Sequence, residues 1–261
     1  MRLSKKKALV TGASGGIGKA IALQLAKEGA DIILHYLEDE DAAKETATEI
    51  IKSDVKVQLI QGSIGTAEGA MTIAKTAWQA FGKIDILVNN SGVSYKKHFL
   101  DFTASDVDHF MNVNFRGTFF ITQTIAGMMV ADNIQGNIYT ITSINAIQPG
   151  IGQSVYGASK GALETLMKGV ALELAPHNIK VNTLAIGAIQ TTMNEDVWRD
   201  EEKLALVNEN IPMHRLGQPE EIAVLITNLI ASATYMTGST ITIDGGWLLK
   251  HGYEKSKKYT S

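Results

Sequence analysis

The chain has 261 residues, no cysteine and a formal net charge of −3, with 45% hydrophobic and 20% charged residues. That balance describes an ordinary globular protein able to bury a core without staples. It excludes disulfides, thiol catalysis, thiolate metal sites and a global basic field for nucleic acid or an anionic membrane. The opening MRLSKKKALVTG lacks the apolar core of a signal peptide, no run approaches the roughly 20 apolar residues that span a bilayer, and the six histidines have no metal-ligand spacing. A cytoplasmic protein without a metal is expected, a location that the absence of cysteine fits.

Short β-rich runs alternate with helical patterns along the chain. The strand candidates are KALVTG (7–12), ADIILHY (30–36), VKVQLIQ (55–61), IDILVNN (84–90), GNIYTIT (136–142), IKVNTLAI (179–186) and STITIDGG (239–246). Most are near-continuous apolar runs, the pattern of strands covered on both faces. After the first comes LVTGASGGIGKAIA (9–22). There Gly12, Gly16 and Gly18 permit a tight turn, and Ile17, Ala20, Ile21 and Leu25 recur at helical spacing as far as a stop at Gly29. Such a turn offers backbone N–H groups and the positive end of a helix dipole to a pyrophosphate, although a glycine-rich β-to-α turn also exists without any ligand. TAEGAMTIAKTAWQAFG (66–82) and QPEEIAVLITNLIASA (218–233) read as further amphipathic helices, and FRGTFFITQTIAGMMV (115–130) as a helix more apolar than one sheet face requires. The alternation predicts a single doubly wound Rossmann-type α/β domain over residues 1–261 with a seven-stranded parallel sheet. An irregular stretch at about 188–217 is expected to border a substrate, and the tail from 247 to 261 is polar and basic.

In SVYGASKGA (154–162), Tyr156 and Lys160 stand four apart with only Gly157, Ala158 and Ser159 between them. Residues four apart share a helix face. Taken alone the pair more often marks a solvated face, with Lys160 partnering Glu164.

Several motifs together resemble the short-chain dehydrogenase/reductase family over about residues 5–246. They are the turn T-G-x-x-x-G-x-G, NNSG at 89–92, VNFRGTFF with Asn114, ITSINA with Ser143 thirteen residues before Tyr156, the Y-x-x-x-K pair, RLGQPEEIA and TGSTITIDGG. The resemblance implies hydride transfer between a nicotinamide dinucleotide and a secondary alcohol or ketone. It implies Tyr156 as general acid/base, since a nearby cation favours phenolate over the free phenol of pKa near 10. Lys160 tunes it and binds the nicotinamide ribose, Ser143 bonds the substrate oxygen, and Asn114 holds a helix kink and a relay water. The implied dinucleotide contacts are Gly12, Ser14, Gly16, Ile17 and Gly18 in the turn; Tyr36 and Leu37 at the adenosine ribose; Ser63 and Ile64 at the adenine; and Asn90, Ser91 and Gly92. On the nicotinamide side they are Tyr156, Lys160, Gly187, Ile189 and Thr191, Thr191 meeting the carboxamide.

The chain departs from the family pattern at Ser91, for an alanine, at Ser63, for an adenine-binding aspartate, and at Ile186, for a proline. Tyr36 stands where NAD-selecting members have an aspartate, and Leu37 and Gly15 stand where NADP-selecting members have cations. The acids of LHYLEDED (34–41) either repel a 2′-phosphate or merely start the next helix. NAD is expected, with NADP as the alternative. Asn145, Gln148 and Gln153 offer uncharged polar groups at the substrate, and the length, the tail and the pattern IPMHRLGQPEEIA resemble the sugar and polyol dehydrogenases of the family, which implies a sugar or polyol substrate. A 3-oxoacyl thioester reductase is the alternative; its carrier protein is acidic, and no lysine or arginine lies between Arg116 and Lys160. A non-catalytic dinucleotide-binding regulator would typically have lost Tyr156 or Lys160. The family also implies a homotetramer.

Overall fold

In the computed structural model, which describes residues 1–250, all seven expected strands pair in one parallel sheet. Most of the tail, from 251 on, lies outside the described residues. In chain order the elements are β1 (Lys7–Val10), α1 (Gly16–Lys27), β2 (Asp31–Tyr36), α2 (Glu40–Ile51), β3 (Val57–Gln61), α3 (Ala67–Phe81), β4 (Ile86–Asn89), α4 (Ala104–Phe110), α5 (Thr118–Ala131), β5 (Asn137–Ser143), α6 (Ser154–Leu174), β6 (Lys180–Ile186), α7 (Glu195–Trp198), α8 (Glu201–Asn210), α9 (Pro219–Ser232) and β7 (Thr240–Ile243). Among the described residues no helix is long and apolar enough to cross a membrane.

The strand order is β3-β2-β1-β4-β5-β6-β7. Every pair is parallel, so all the strand C-termini lie along one edge. Sheet building reverses direction between β1 and β4, and the following loops part there to leave a cleft. Alternating side chains cover the two faces. Ala8, Val10, Ile32, Leu34, Ile86 and Val88 pack with α1, α2 and α9, while Leu9, Ile33 and Leu87 pack with α3, α5 and α6. The edge strands β3 and β7 are only partly covered, unlike the central strands.

Local chemistry sets the helix ends. Thr66 accepts from the Gly69 N–H at 3.1 Å to start α3, and Gly82, at φ 70°, ends it. Gly29, at φ 94°, follows the end of α1. Pro219 sits in the first turn of α9 behind a Gln218/Glu221 capping box.

Two segments depart from the sequence reading. The stretch 188–217 is helical in part: α7 and α8 occupy it. Its few leucines and valines form no apolar stripe, and neither helix has a fully buried residue. α8 begins instead because Asp200 accepts from the N–H groups of Glu202 and Lys203, each at 3.1 Å, with acids in the first turn. The apolar helix predicted from 115 begins in a π-helical segment, Met111–Gly117, continuous with α4 and α5. Ile121, Ile125 and Met129 are in the core and Phe115, Phe120 and Val130 lie against it, which leaves Phe119 and Met128 half-buried at its margin.

The π segment presses on the loop after β3. A Cβ at Gly117 would lie 2.3 Å from the Ile64 carbonyl oxygen. Gly117→Ala is expected to cost at least the roughly 1–3 kcal/mol of an overpacked site, seen as a lowered Tm. An unchanged Tm would show that the two segments separate freely.

Candidate active site

The cleft is built on the turn after β1. Gly12 and Gly16 have φ of 63° and 53°, backbone that a side chain strains. Gly18 packs so tightly that a Cβ would lie 2.2 Å from the Gly12 carbonyl oxygen and 2.5 Å from Asn90 Nδ2. Thr66, Thr103 and Asp39 cap α3, α4 and α2, but α1 has no side-chain cap and no acid in its first turn. Its N–H groups therefore remain for an anion. This cradle of glycine and uncapped amides fits the pyrophosphate of a dinucleotide. Ser14 and Ile17 belong to the same turn, and Thr46 Oγ1 on α2 donates to the Ser14 carbonyl at 3.2 Å.

The end of β4 clamps this turn. Asn90 Nδ2 donates to the carbonyls of Thr11 and Gly12 at 3.0 and 2.9 Å, and the N–H groups of Asn90 and Ser91 both donate to Thr11 Oγ1 at 3.0 Å. Thr11, which the sequence reading passed over, is buried and serves three partners. The one signal available for it was its place directly before the first glycine. Gly92 leads into the other half of the site, where a Cβ would stand 3.1 Å from Asn114 Oδ1 and 3.2 Å from Lys160 Nζ.

Asn114 is fully buried in the π segment. Its carboxamide accepts from the Val93 N–H at 2.8 Å and donates to the Val93 carbonyl at 3.0 Å and to Ser159 Oγ at 3.1 Å. It thus ties the loop after β4 to α6, and the wider helical turn makes room for it. α6 lies close to the end of β5 because Gly157 has no Cβ; one would fall 2.5 Å from the Asn145 carbonyl oxygen.

On that helix the Tyr156 hydroxyl lies beside Ser143, whose Oγ accepts from Asn145 N and Nδ2 at 3.1 and 3.3 Å. Lys160 Nζ lies 5.9 Å from the Tyr156 ring centre and donates to the Ile141 carbonyl at 3.1 Å. Glu164 is not its partner; that carboxylate is buried and accepts from Thr142 Oγ1 at 2.7 Å. Burial pushes the Tyr156 hydroxyl up from its ordinary pKa, the neighbouring Ser143 hydroxyl opposing this, and burial pushes Lys160 down to about 8. Desolvation acts on each against its charged form. Phe110 flanks Tyr156, with ring centres 6.2 Å apart, and Tyr95 packs on Phe110 at 4.4 Å.

Other sequence-predicted positions spread along the same edge. Thr191 reaches over the glycine turn, where a Cβ at Gly16 would meet its Cγ2 at 3.4 Å. Its N–H donates to Asn194 Oδ1 at 2.9 Å and its carbonyl accepts from Trp198 Nε1 at 2.8 Å, while the Ile189 carbonyl accepts from Asn194 Nδ2 at 3.0 Å. Gly187 abuts β7, a Cβ there lying 2.7 Å from Asp244 Cα. Tyr36 is buried at the end of β2, and Leu37 beyond it is exposed. Ile64 is buried, whereas Ser63 is exposed and accepts from the Gly65 N–H at 3.1 Å. Of the polar groups expected at the substrate, Asn145 Oδ1 is taken by the Gly150 N–H at 2.9 Å, and Gln153 Oε1 is buried without a partner. Among the described residues no cluster of His, Asp and Glu could hold a metal ion.

Residues 12–248 match the family model described as Enoyl-(Acyl carrier protein) reductase. The L-rhamnose 1-dehydrogenase (NAD(P)(+)) of Sphingomonas sp. is 34% identical over 245 residues, covering 94% of this chain and 96% of that protein. The structure of a short-chain dehydrogenase/reductase from Serratia marcescens matches with a TM-score of 0.87 at 35% identity, covering 95% of this chain and 99% of that one. Acetoin dehydrogenase from Enterobacter cloacae matches with a TM-score of 0.88 at 38% identity, covering 96% and 98% respectively.

The buried lysine has a measurable consequence. Between pH about 8 and its ordinary value of 10.5, Lys160 binds fewer protons in the folded chain than in the unfolded one. Its contribution to stability therefore rises with pH through that window. Lys160→Met is expected to remove this rise, on the order of 2 kcal/mol, when urea unfolding is compared at about pH 7.5 and about pH 10. An identical pH dependence in the variant would place the lysine in water.

Proposed function

Because this chain belongs to the short-chain dehydrogenase/reductase family, we propose that its NAD(P)-dependent oxidoreduction of an alcohol, ketone or sugar-type substrate runs through Tyr156 as general acid/base, the whole chain acting as one catalytic unit. The observation that carries this is the Tyr156 hydroxyl, beside Ser143 and above buried Lys160, on the cleft edge that also presents the glycine turn. A bound nicotinamide dinucleotide supplies or accepts the hydride. Reduction of a carbonyl then leaves an alkoxide, and Tyr156, held protonated by burial, is placed to give it a proton. Ser143 holds the substrate oxygen beside that hydroxyl. In oxidation the phenol must first lose its proton, and the ammonium of Lys160 favours the phenolate. Asn114 keeps α6 and the loop after β4 in register beneath these groups.

An uncharged substrate such as a sugar, polyol or hydroxyketone is the reading that the dehydrogenase relatives favour, and exposed apolar side chains beside the cleft are compatible with it. Ile147 and Ile151 before α6, and Met193, Leu206 and Met213 in the stretch after β6, are exposed apolar side chains on the two segments that border the cleft. The acyl-carrier alternative needs cations there. The structure supplies two that the stretch 117–159 lacks: Lys96, through its Cβ, and Lys97, through its backbone, pack against Gly152. Lys97 is already committed to Asp106, which leaves exposed Lys96 to meet an acidic partner. A panel of sugars, polyols, hydroxyketones and 3-oxoacyl thioesters with both dinucleotides separates the readings. Tyr156→Phe is expected to lower kcat by about 10²–10⁴ on the substrate found, with dinucleotide affinity little changed. Near-normal turnover would remove Tyr156 from the chemistry.

NAD is the proposed cofactor, because Leu37 and Gly15 stand where the NADP-selecting members of the family have cations. The acids that follow carry less of the argument than their number suggests. Asp39 caps α2 by accepting from the Ala42 N–H at 2.9 Å, and Glu40 pairs with Lys44 at 2.8 Å. Leu37→Arg, at an exposed position, is expected to shift the kcat/KM ratio toward NADP by about tenfold or more, the scale of one charge-assisted contact. No shift would mean that this turn does not reach the ribose.

A homotetramer in the cytoplasm is proposed from the family. Half-buried Phe119 and Met128 on α5 and exposed Leu172 on α6 support the assembly as side chains that a neighbouring subunit would cover. Light scattering is expected to give four chains; a monomer at micromolar concentration overturns it.

A further inference from the structure

Of the histidines at 35, 98, 109, 177 and 214, only His35 is buried, at 2% exposure. It lies in β2, its side chain on the same sheet face as Ile33. Both of its ring nitrogens are engaged. The Gly12 N–H donates to Nδ1 at 3.2 Å, and Nε2 lies 3.0 Å from the Gly62 carbonyl oxygen. A carbonyl only accepts, so Nε2 carries the proton and Nδ1 is the acceptor. One neutral tautomer satisfies both contacts, and burial keeps the ring neutral by pushing its pKa down. The backbone adds to the link, since the His35 carbonyl accepts from the Ala13 N–H at 2.9 Å and the Gly62 N–H donates to the Tyr36 carbonyl at 3.1 Å.

These partners lie in two different turns. Gly12 begins the glycine turn after β1, and Gly62 directly precedes Ser63 and Ile64 after β3. β2 stands between β1 and β3 in the sheet, so His35 spans from one turn to the other. We propose that His35 is a positioning residue for the dinucleotide, holding the pyrophosphate-facing turn and the adenine-facing loop at a fixed spacing through its two ring nitrogens. This rests on the dinucleotide reading of the cleft. A residue of the same size without an acceptor at Nδ1 would leave the Gly12 N–H unpaired at the point where the turn takes its left-handed φ, and the turn would lose its aim.

Asparagine and glutamine divide the two contacts. His35→Asn places a carboxamide oxygen near the position of Nδ1 and keeps an acceptor for Gly12; His35→Gln reaches the position of Nε2 and keeps only the contact to Gly62. NADH binding, followed by fluorescence, is expected to weaken less than about 3-fold in His35→Asn and about 10-fold or more in His35→Gln, the scale of one unsatisfied buried donor. Thermal melts of both proteins separate this from general damage, because a merely structural role would make affinity follow Tm. Equal affinities in the two variants, or affinity that only follows Tm, overturn the proposal. Should either variant fail to fold, ring ¹⁵N shifts of the wild-type protein decide: a proton on Nε2 supports the assignment and a proton on Nδ1 overturns it. Wild-type protein that binds neither NADH nor NADPH would instead overturn the dinucleotide reading itself.

Discussion

The bond from the Asn90 carboxamide to the Thr11 and Gly12 carbonyls joins the two halves of this molecule. It fixes the end of β4 against the turn after β1, at the place where the sheet reverses its order of building. The carboxamide comes that close only because Gly18 has no side chain, and the contact sets how the first turn of α1 faces the cleft. Two residues further on, Gly92 lies over Asn114 and Lys160. One short clamp thereby relates the anion-binding amides to the tyrosine helix. A shift of either would be felt at the other, because the intervening contacts are at van der Waals limits and cannot absorb it.

Desolvation is the second constraint. Lys160 is taken out of water beside half-buried Tyr156, among the described residues no carboxylate compensates the lysine, and the acid one turn on, Glu164, is bonded to Thr142 instead. Such an arrangement opposes stability and is found where chemistry needs it. The backbone supplies what the side chains do not: the Ile141 carbonyl receives the ammonium, and the Asn114 carboxamide bonds both polar groups of the Val93 backbone. A lysine so placed can tune a phenol without being neutralised by an ion pair.

The cover of the cleft is built on different terms from its floor. α7 and α8 have no fully buried residue and depend on the Asp200 cap and on surface ion pairs such as Glu195 with Arg199. Pairs of that kind contribute little each. The floor below is close-packed, with glycines where backbones touch. Substrate choice can therefore vary in the cover while the proton-transfer groups stay fixed, which is why the fold alone does not name a substrate.

By itself the sequence determined whatever depends on near neighbours in the chain. Apolar runs marked strands covered on both faces, glycine spacing marked the turn before α1, and a Tyr–Lys pair four apart marked one helix face. All three are local, since strand alternation, helical pitch and a left-handed φ are properties of a few consecutive residues. Tertiary structure decided what distant segments do to one another. It brought Lys96 and Lys97 beside Gly152. It laid Thr191 over Gly16, turned the helix at Asn114 into a π segment, and engaged both nitrogens of His35. None of these leaves a local pattern, because each side chain is fixed by a backbone group from elsewhere in the chain, and such partners become neighbours only when the parallel strands align their ends.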